Sequence, residues 1–343
     1  MKKNYDVIIV GAGPAGLRCA QVLSKSDLSV LLLEKNSVFG DKVCAGGLTR
    51  KSLEILHFPD EVIEHKITQT ALFSRKRKSQ THAPEPFLFT VKRKEFGEWQ
   101  KGLLKGTPVD IRNNAKVTKI DDHKLTINDI EEIGFKFLVG ADGYNSIVRK
   151  FLNLPMKKKL IGIQYTVASA VLNPRLEIHL NSKLFGPWYA WSFPHENSIA
   201  VGAVCDPKKM SAKKLKENLH IWLQGKNIHV ENAVYESAPI AFDYQGYDFN
   251  PIFLIGEAAG FASGLTGEGI YQSLVSGEAA ALKILKKEEA FEDLDSVLKY
   301  NAIQQKILNV FGKAGFFLGP IHELIVILLN NNWVKGKINK SFS

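Results

Sequence analysis

Gly11, Gly13 and Gly16 are spaced G-x-G-x-x-G directly after the apolar run Val7–Val10, and Glu34 ends the next apolar run, Val30–Leu33. In this pattern the first glycine permits a tight turn out of a strand. The second lets backbone approach a pyrophosphate, and the third allows close helix–strand packing. A helix that opens at such a turn offers free N–H groups and the positive end of its dipole to phosphate oxygens. A carboxylate at Glu34 accepts the two hydroxyls of an adenosine ribose and repels a 2′-phosphate. The group reads as an ADP cradle. By itself it disfavours NADP and leaves NAD and FAD open.

Two later segments favour FAD. One runs Gly140-Ala141-Asp142-Gly143-Tyr144-Asn145-Ser146-Ile147-Val148-Arg149. The other runs Phe253-Leu254-Ile255-Gly256-Glu257-Ala258-Ala259-Gly260 and on to Leu265-Thr266-Gly267-Glu268-Gly269-Ile270. A strand that ends in Gly-acid, at Gly256-Glu257, brings a carboxylate to ribityl or ribose hydroxyls. Glycines that then open a helix, Gly267 and Gly269 before Ile270, aim a positive helix end at a flavin pyrimidine, where charge develops on reduction.

These segments resemble the geranylgeranyl reductase family, within the aromatic-hydroxylase-like flavoproteins. Lys42-Val43-Cys44-Ala45-Gly46-Gly47-Leu48 resembles that family's Lys-x-Cys-Gly-Gly loop. Val91-Lys92-Arg93-Lys94-Glu95-Phe96 resembles the segment whose arginine contacts FAD. Tyr189-Ala190-Trp191-Ser192-Phe193-Pro194, followed by Gly202, resembles the Tyr-x-Trp-x-Phe-Pro…Gly-x-Gly signature of the substrate sheet. The resemblance spans roughly residues 5 to 285. It implies FAD contacts at Gly11, Gly13, Ala15, Gly16, Glu34 and Lys35, at Cys44, Ala45 and Gly47, and at Arg93, Val117 and Asp142. It implies further contacts at Gly256, Glu257, Gly267, Gly269 and Ile270. It also implies substrate contacts at Tyr189, Trp191 and Phe193, a near-flavin role for Cys44, and no metal. The implied reaction saturates carbon–carbon double bonds of an isoprenoid lipid, with hydride from reduced flavin plus a proton and with electrons from a donor such as NADPH or ferredoxin.

Four positions depart from the family pattern. Ala45 replaces a glycine, Glu257 replaces an aspartate, Gly264 replaces a proline, and Val204 replaces the second glycine of the substrate signature. A valine there narrows a substrate cavity. Other readings remain open on the residues alone: a monooxygenase or halogenase, a flavoprotein that passes electrons to quinone, and a prenyl-chain escort that has lost flavin. Tyr189 and Trp191 also fit as core aromatics on an alternating strand, and Cys44 as a small packing thiol. His179, His195 and His220 have no spacing that marks a triad or metal site and read as ordinary structural histidines.

The elements that must position these residues follow from the pattern. The fold class is α/β: a Rossmann-like FAD-binding domain of βαβ units plus a β-meander, an inserted antiparallel-sheet substrate domain, and a helical C-terminus. The expected boundaries are 1–70, 95–157 and 250–290 for the FAD-binding domain, 71–94 and 158–249 for the substrate sheet, and 291–343 for the C-terminal helices. Helices are expected over Phe96–Leu104, Ala212–Leu223, Gly269–Leu285 and Leu294–Phe311.

The chain has 343 residues and a formal charge of +10 from 45 basic and 35 acidic residues. That charge suits phosphates or anionic lipid headgroups, or simply a solvated surface; no nucleic-acid motif accompanies it. The three cysteines, Cys19, Cys44 and Cys205, are too few for a disulfide framework and too far apart for a metal cluster. The N-terminal apolar run is too short for a signal peptide and leads into the glycine turn. The expected location is the cytoplasm, with peripheral contact on the inner face of a membrane. The apolar stretch Phe316–Leu329, followed by Trp333 and a basic tail, fits an interfacial helix or one packed on the protein's own core.

Overall fold

Val7, Ile8 and Ile9 are apolar without alternation because the strand they form is covered on both faces. In the computed structural model, which describes residues 3–168, 175–287 and 292–331, that strand is Asn4–Val10, inside an eight-stranded sheet. The strand order is Asp248–Phe249, Ile252–Leu254, Glu131–Gly140, Asn4–Val10, Val30–Leu33, Asp110–Arg112. All neighbours run parallel except the first pair. Val117–Asp121 and Lys124–Ile127 add an antiparallel meander onto Glu131–Gly140. Helices Pro14–Leu23 and Ile270–Ile284 pack backbone to backbone, since a Cβ at Gly277 would lie 2.3 Å from the Ala15 carbonyl oxygen.

These elements make one compact unit, drawn from Met1–Lys42, Arg93–Lys159 and Ile240–Gln304. A second unit takes Val43–Lys92, Leu160–Pro239 and the described residues from 305 onward. Its seven-stranded sheet has the order Val234–Ala241, Lys159–Ala168, Ser198–Cys205, Tyr189–Pro194, Leu176–Leu180, Gln69–Phe73, Lys78–His82. One face of that sheet, with Ile163, Tyr165, Ala190, Val201, Ala203 and Cys205, buries Leu215, Leu219, Trp222 and Leu223 of helix Ala212–Gln224. A three-stranded sheet, Gly47–Thr49, Leu88–Thr90, His65–Ile67, was not foreseen from the sequence.

The fold class stands as read, and helices Arg93–Gly102, Ala212–Gln224, Ile270–Ile284 and Glu292–Lys313 lie within a few residues of expectation. The division of the chain differs. Residues 43–70, placed by sequence with the nucleotide-binding part, group with the antiparallel sheet because Gly47–Thr49 and His65–Ile67 pair with Leu88–Thr90. Residues 240–249 group with the first unit, where the Phe242 amide donates to the Lys158 carbonyl and Asp248–Phe249 extends the parallel sheet. Helix Glu292–Lys313 begins in the first unit, where the Asn301 amide donates to the Phe261 carbonyl (2.8 Å). Among the described residues no single helix is long and apolar enough to cross a membrane. Trp333 and the basic tail lie outside the described residues.

Candidate functional site

The cradle separates its three glycines by cause. Gly11 adopts φ +103°, and a Cβ there would lie 2.4 Å from the Ala141 carbonyl oxygen. At Gly16 a Cβ would lie 2.0 Å from the Gly11 oxygen. The fold's own backbone therefore demands both. At Gly13 a Cβ would meet nothing within 4 Å. No neighbour within the protein explains that glycine.

Gly13 leads into helix Pro14–Leu23, where proline at the first position costs no hydrogen bond. Gln100 Nε2 donates to the Pro14 carbonyl (3.1 Å) and fastens the turn. The two Glu34 oxygens accept from the Ala12 and Asn36 amides, each at 2.9 Å. The carboxylate is held at the strand tip, and each oxygen keeps a lone pair for a ribose hydroxyl. Lys35 beside it is exposed, and Ala15 is buried at the Gly277 contact.

Asp142 ends the neighbouring strand. Its Oδ2 accepts from the Ile147 amide (2.6 Å), while its Oδ1 is buried without a hydrogen-bond partner. Burial pushes this carboxyl up, against hydrogen bonds from Ser146 and the Ile147 amide. An orphaned, desolvated carboxylate oxygen is a place where a ligand hydroxyl repairs a real cost. Arg149, the last residue of the same segment, is architectural. Its buried guanidinium donates to the carbonyls of Leu154 (2.9 Å), Ala258 (3.1 Å) and Asp243 (2.9 Å), and pairs with the Asp243 carboxylate at 3.3 Å. It ties the Gly256–Ala259 turn to the segment before it.

At that turn stands Glu257. Its Oε1 pairs with Lys42 Nζ at 2.6 Å, so one oxygen is already taken, whereas Oε2 is buried without a partner. Gly264 stands in place of proline because side-chain volume there would strike the Phe242 ring, 2.4 Å from an added Cβ. Ser263 closes the loop by accepting from the Leu265 (3.2 Å) and Thr266 (3.0 Å) amides. Gly267 at φ +69° and Gly269 then deliver the chain to Ile270, the first residue of helix Ile270–Ile284. Arg93 opens helix Arg93–Gly102 with its guanidinium 5.3 Å from the Phe96 ring. Val117 is buried in the meander.

The second unit gathers the other residues named from sequence. Because Ala190 packs toward helix Ala212–Gln224, alternation turns Tyr189, Trp191 and Phe193 to the opposite sheet face. Tyr189 and Trp191 meet edge to face at 6.1 Å, and the Trp191 indole nitrogen is buried without a hydrogen-bond partner. Val204, opposite Gly162, lies on this same face and is buried.

The Cys44–Gly47 loop lies against this strand. A Cβ at Gly47 would sit 2.7 Å from Phe193 Cε1, and Gln164 Nε2 donates to the Cys44 carbonyl (3.4 Å) and to Glu236 (2.9 Å). Cys19 and Cys205 are buried, and burial pushes both thiols up, Cys205 to about 11; Cys44 keeps partial exposure. The structure thus brings Gly47 against Phe193, with Cys44 held by Gln164 and Ala45 by His195. It assembles Gly11–Gly16, Glu34, Asp142 and Glu257 in the first unit.

Sequence reasoning missed four contributors: Lys42, Arg149, Gln164 and His195. Arg149 and Lys42 stood inside quoted motifs without a role. Gln164 carries no motif at all. His195, read as an ordinary structural histidine, bonds Glu64 and the Ala45 carbonyl; its one signal was its place directly after Pro194.

The Thi4 family profile matches residues 2–65. The chain is 31% identical to an uncharacterized protein of Methanosarcina barkeri over 290 residues, 81% of this chain and 74% of that one. It is 29% identical to the digeranylgeranylglycerophospholipid reductase of Methanocaldococcus jannaschii, covering 88% of this chain and 87% of that one. Among solved structures, a geranylgeranyl bacteriochlorophyll reductase-like protein from Thermoplasma acidophilum superposes with a TM-score of 0.81 at 18% identity, over 97% of this chain and 93% of that chain.

Proposed function

The chain belongs to the geranylgeranyl reductase family of flavin-dependent oxidoreductases, and from that premise we propose that it holds FAD and saturates carbon–carbon double bonds of isoprenoid lipid chains. The observation that carries the FAD reading is Gly13, a glycine whose open side has no claimant within the protein. Around it stand Glu34 for the adenosine ribose, and Asp142 Oδ1 and Glu257 Oε2, two buried oxygens that lack a donor. When bound and reduced, FAD supplies hydride.

An isolated alkene is a poor hydride acceptor, so a proton must arrive with or before the hydride, in surroundings that exclude water. The face of Tyr189, Trp191, Phe193 and Val204 offers an apolar wall for the chain. Cys44 is proposed as the residue presented to the flavin. Its replacement by alanine is expected to lower turnover and leave flavin content unchanged.

Electrons come from a separate donor, NADPH or a ferredoxin; anaerobic bleaching of the flavin by each identifies which. The lipid substrate also implies a membrane contact. Phe316 and Phe317 are 91% and 68% exposed, and Leu324, Ile327 and Leu328 form one exposed apolar stripe on helix Leu318–Leu329. With the basic net charge these fit an anionic lipid surface at the inner face of a membrane. Binding to anionic liposomes that is unchanged in F316S/F317S would exclude that contact.

The reaction is tested by incubating dithionite-reduced protein anaerobically with a geranylgeranyl lipid and weighing the product. The expected result is a gain of two hydrogens per saturated bond. A product that forms only with oxygen would overturn the reading in favour of a monooxygenase or halogenase.

A further inference from the structure

We propose that His195 is a positioning residue that latches the Cys44–Gly47 loop through an imidazole donating from both nitrogens. Its Nε2 donates to the Ala45 carbonyl (3.1 Å) and its Nδ1 to Glu64 Oε2 (2.5 Å). Glu64 is fixed in turn. Its Oε1 lies 3.3 Å from Lys92 Nζ, its amide donates to the Thr90 carbonyl (2.8 Å), and its side chain is only 8% exposed. His195 is fixed at its own backbone, where its amide donates to the Ser198 carbonyl at 2.8 Å.

The loop lies flat on the ring. Gly46 adopts φ +75°, and a Cβ there would sit 2.3 Å from the Val91 carbonyl oxygen and 3.2 Å from His195 Cε1. Three successive loop carbonyls are claimed: Cys44 by Gln164 (3.4 Å), Ala45 by His195 (3.1 Å) and Gly46 by the Val91 amide (3.0 Å). The middle contact comes from a titratable side chain, so the hold on the loop follows the state of that ring.

Both partners of the ring are acceptors, and an imidazole donates from both nitrogens only when it carries both protons. The charged groups facing the ring are the Glu64 carboxylate and, behind it, Lys92; Ala45 presents only its carbonyl. Burial raises the Glu64 carboxyl, but His195 and Lys92 outweigh that and hold it below its ordinary range. The latch is closed while the ring is doubly protonated. Without either proton, one nitrogen would turn a lone pair toward an oxygen and the loop would lose that hold.

The catalytic consequence rests on the reading of Cys44 given above; the latch itself does not. The test is hydrogen exchange in the flavin-loaded protein, followed on a peptide covering residues 43–49, with strand Lys159–Ala168 as an internal control. H195N keeps an amide near the Nδ1 position and its bond to Glu64 but loses reach to Ala45; H195Q brings an amide nitrogen to Ala45. Loss of one such hydrogen bond should speed loop exchange about five- to tenfold in H195N. H195Q should stay within about twofold of wild type, with the control strand unchanged in both.

E64Q, which keeps an acceptor and drops the charge, should loosen the loop with His195 intact. Loop exchange at the wild-type rate in both H195N and E64Q, or identical rates in the asparagine and glutamine variants, overturns the latch. If exchange follows the expected pattern while kcat is the same in every variant, the latch stands and the role given to Cys44 falls.

Discussion

At Gly11 and Gly16 an added Cβ would strike the chain's own backbone, at 2.4 and 2.0 Å; at Gly47 it would strike a ring carbon of Phe193, at 2.7 Å, and at Gly13 it would strike nothing. The first unit therefore has a cradle carved in backbone, with one position left open for a ligand. In the second unit the comparable glycine gives its room to an aromatic side chain of the sheet. A backbone cradle accepts one kind of ligand and tolerates almost no change. A face built of side chains can be recut by substitution, as Val204 and Ala45 already show against the family pattern.

The largest expected effect breaks the backbone side of this comparison. Gly16→Ala forces a methyl into a carbonyl oxygen that a strand and a helix both hold in place. A loss of about 3–5 kcal/mol is expected, at the level of a strained core substitution, with little soluble protein and no retained flavin. Urea unfolding and the flavin absorbance of the purified protein measure it. If Gly16→Ala folds and binds flavin normally, the cradle is not the tight device described.

Gly13→Ala should separate stability from binding. The backbone there is extended, near φ −76° and ψ −178°, which alanine adopts freely. Apo stability is expected within about 1 kcal/mol of wild type, the cost of alanine at a helix N-cap. FAD affinity should fall about 10- to 100-fold, because the methyl enters the space kept for the pyrophosphate. Titration of apo protein with FAD reads this directly; equal losses in stability and binding would place Gly13 with Gly16.

This contrast also explains what the sequence discloses. Gly11, Gly13, Gly16 and Glu34 announce themselves because backbone geometry restricts residue type, and such restriction is written at fixed spacing. The parallel order of the first sheet follows from unbroken apolar runs such as Val7–Val10 and Val30–Leu33. Side-chain partnerships across long separations leave no such mark. Lys42 with Glu257, Arg149 with Asp243, and Glu64 with His195 each join residues more than ninety positions apart. For the same reason residues 43–70 were assigned to the wrong side of the division: strand Gly47–Thr49 is three residues long and finds its partner only at Leu88–Thr90.

Acid should separate the side-chain pairing around Glu177 from the backbone fit of the cradle. Burial raises the Glu177 carboxyl, but hydrogen bonds from His179 (2.9 Å) and Arg175 (2.7 Å) outweigh it and hold it at about 2, against 4.5 for a free glutamate. Because the folded value is the lower one, the stabilisation is fully present above about pH 4.5 and is lost as pH falls toward 2. It amounts to about 2 kcal/mol for this partly exposed group. Glu177→Gln should remove that share of the acid dependence, measured by urea unfolding between neutral and acid pH. The backbone fit at Gly11 and Gly16 contains no titrating group and should show no such slope.

The smallest expected effect tests whether the second unit's glycine is set by a side chain alone. Gly47 has an ordinary backbone conformation, and the three atoms nearest an added Cβ all belong to the Phe193 ring. Gly47→Ala should cost about 1–2 kcal/mol through overpacking. Phe193→Leu pulls the ring edge back and leaves room for the new methyl. In the double variant the two costs should then fail to add, with a coupling of about 1 kcal/mol in the favourable direction. The same cycle at Gly16 gains little by trimming the nearby Ala141 methyl, since the main obstruction is the Gly11 carbonyl oxygen. Strict additivity at Gly47 and Phe193 would mean that backbone, and not the ring, sets that glycine too, and the distinction between the two units would lose its basis.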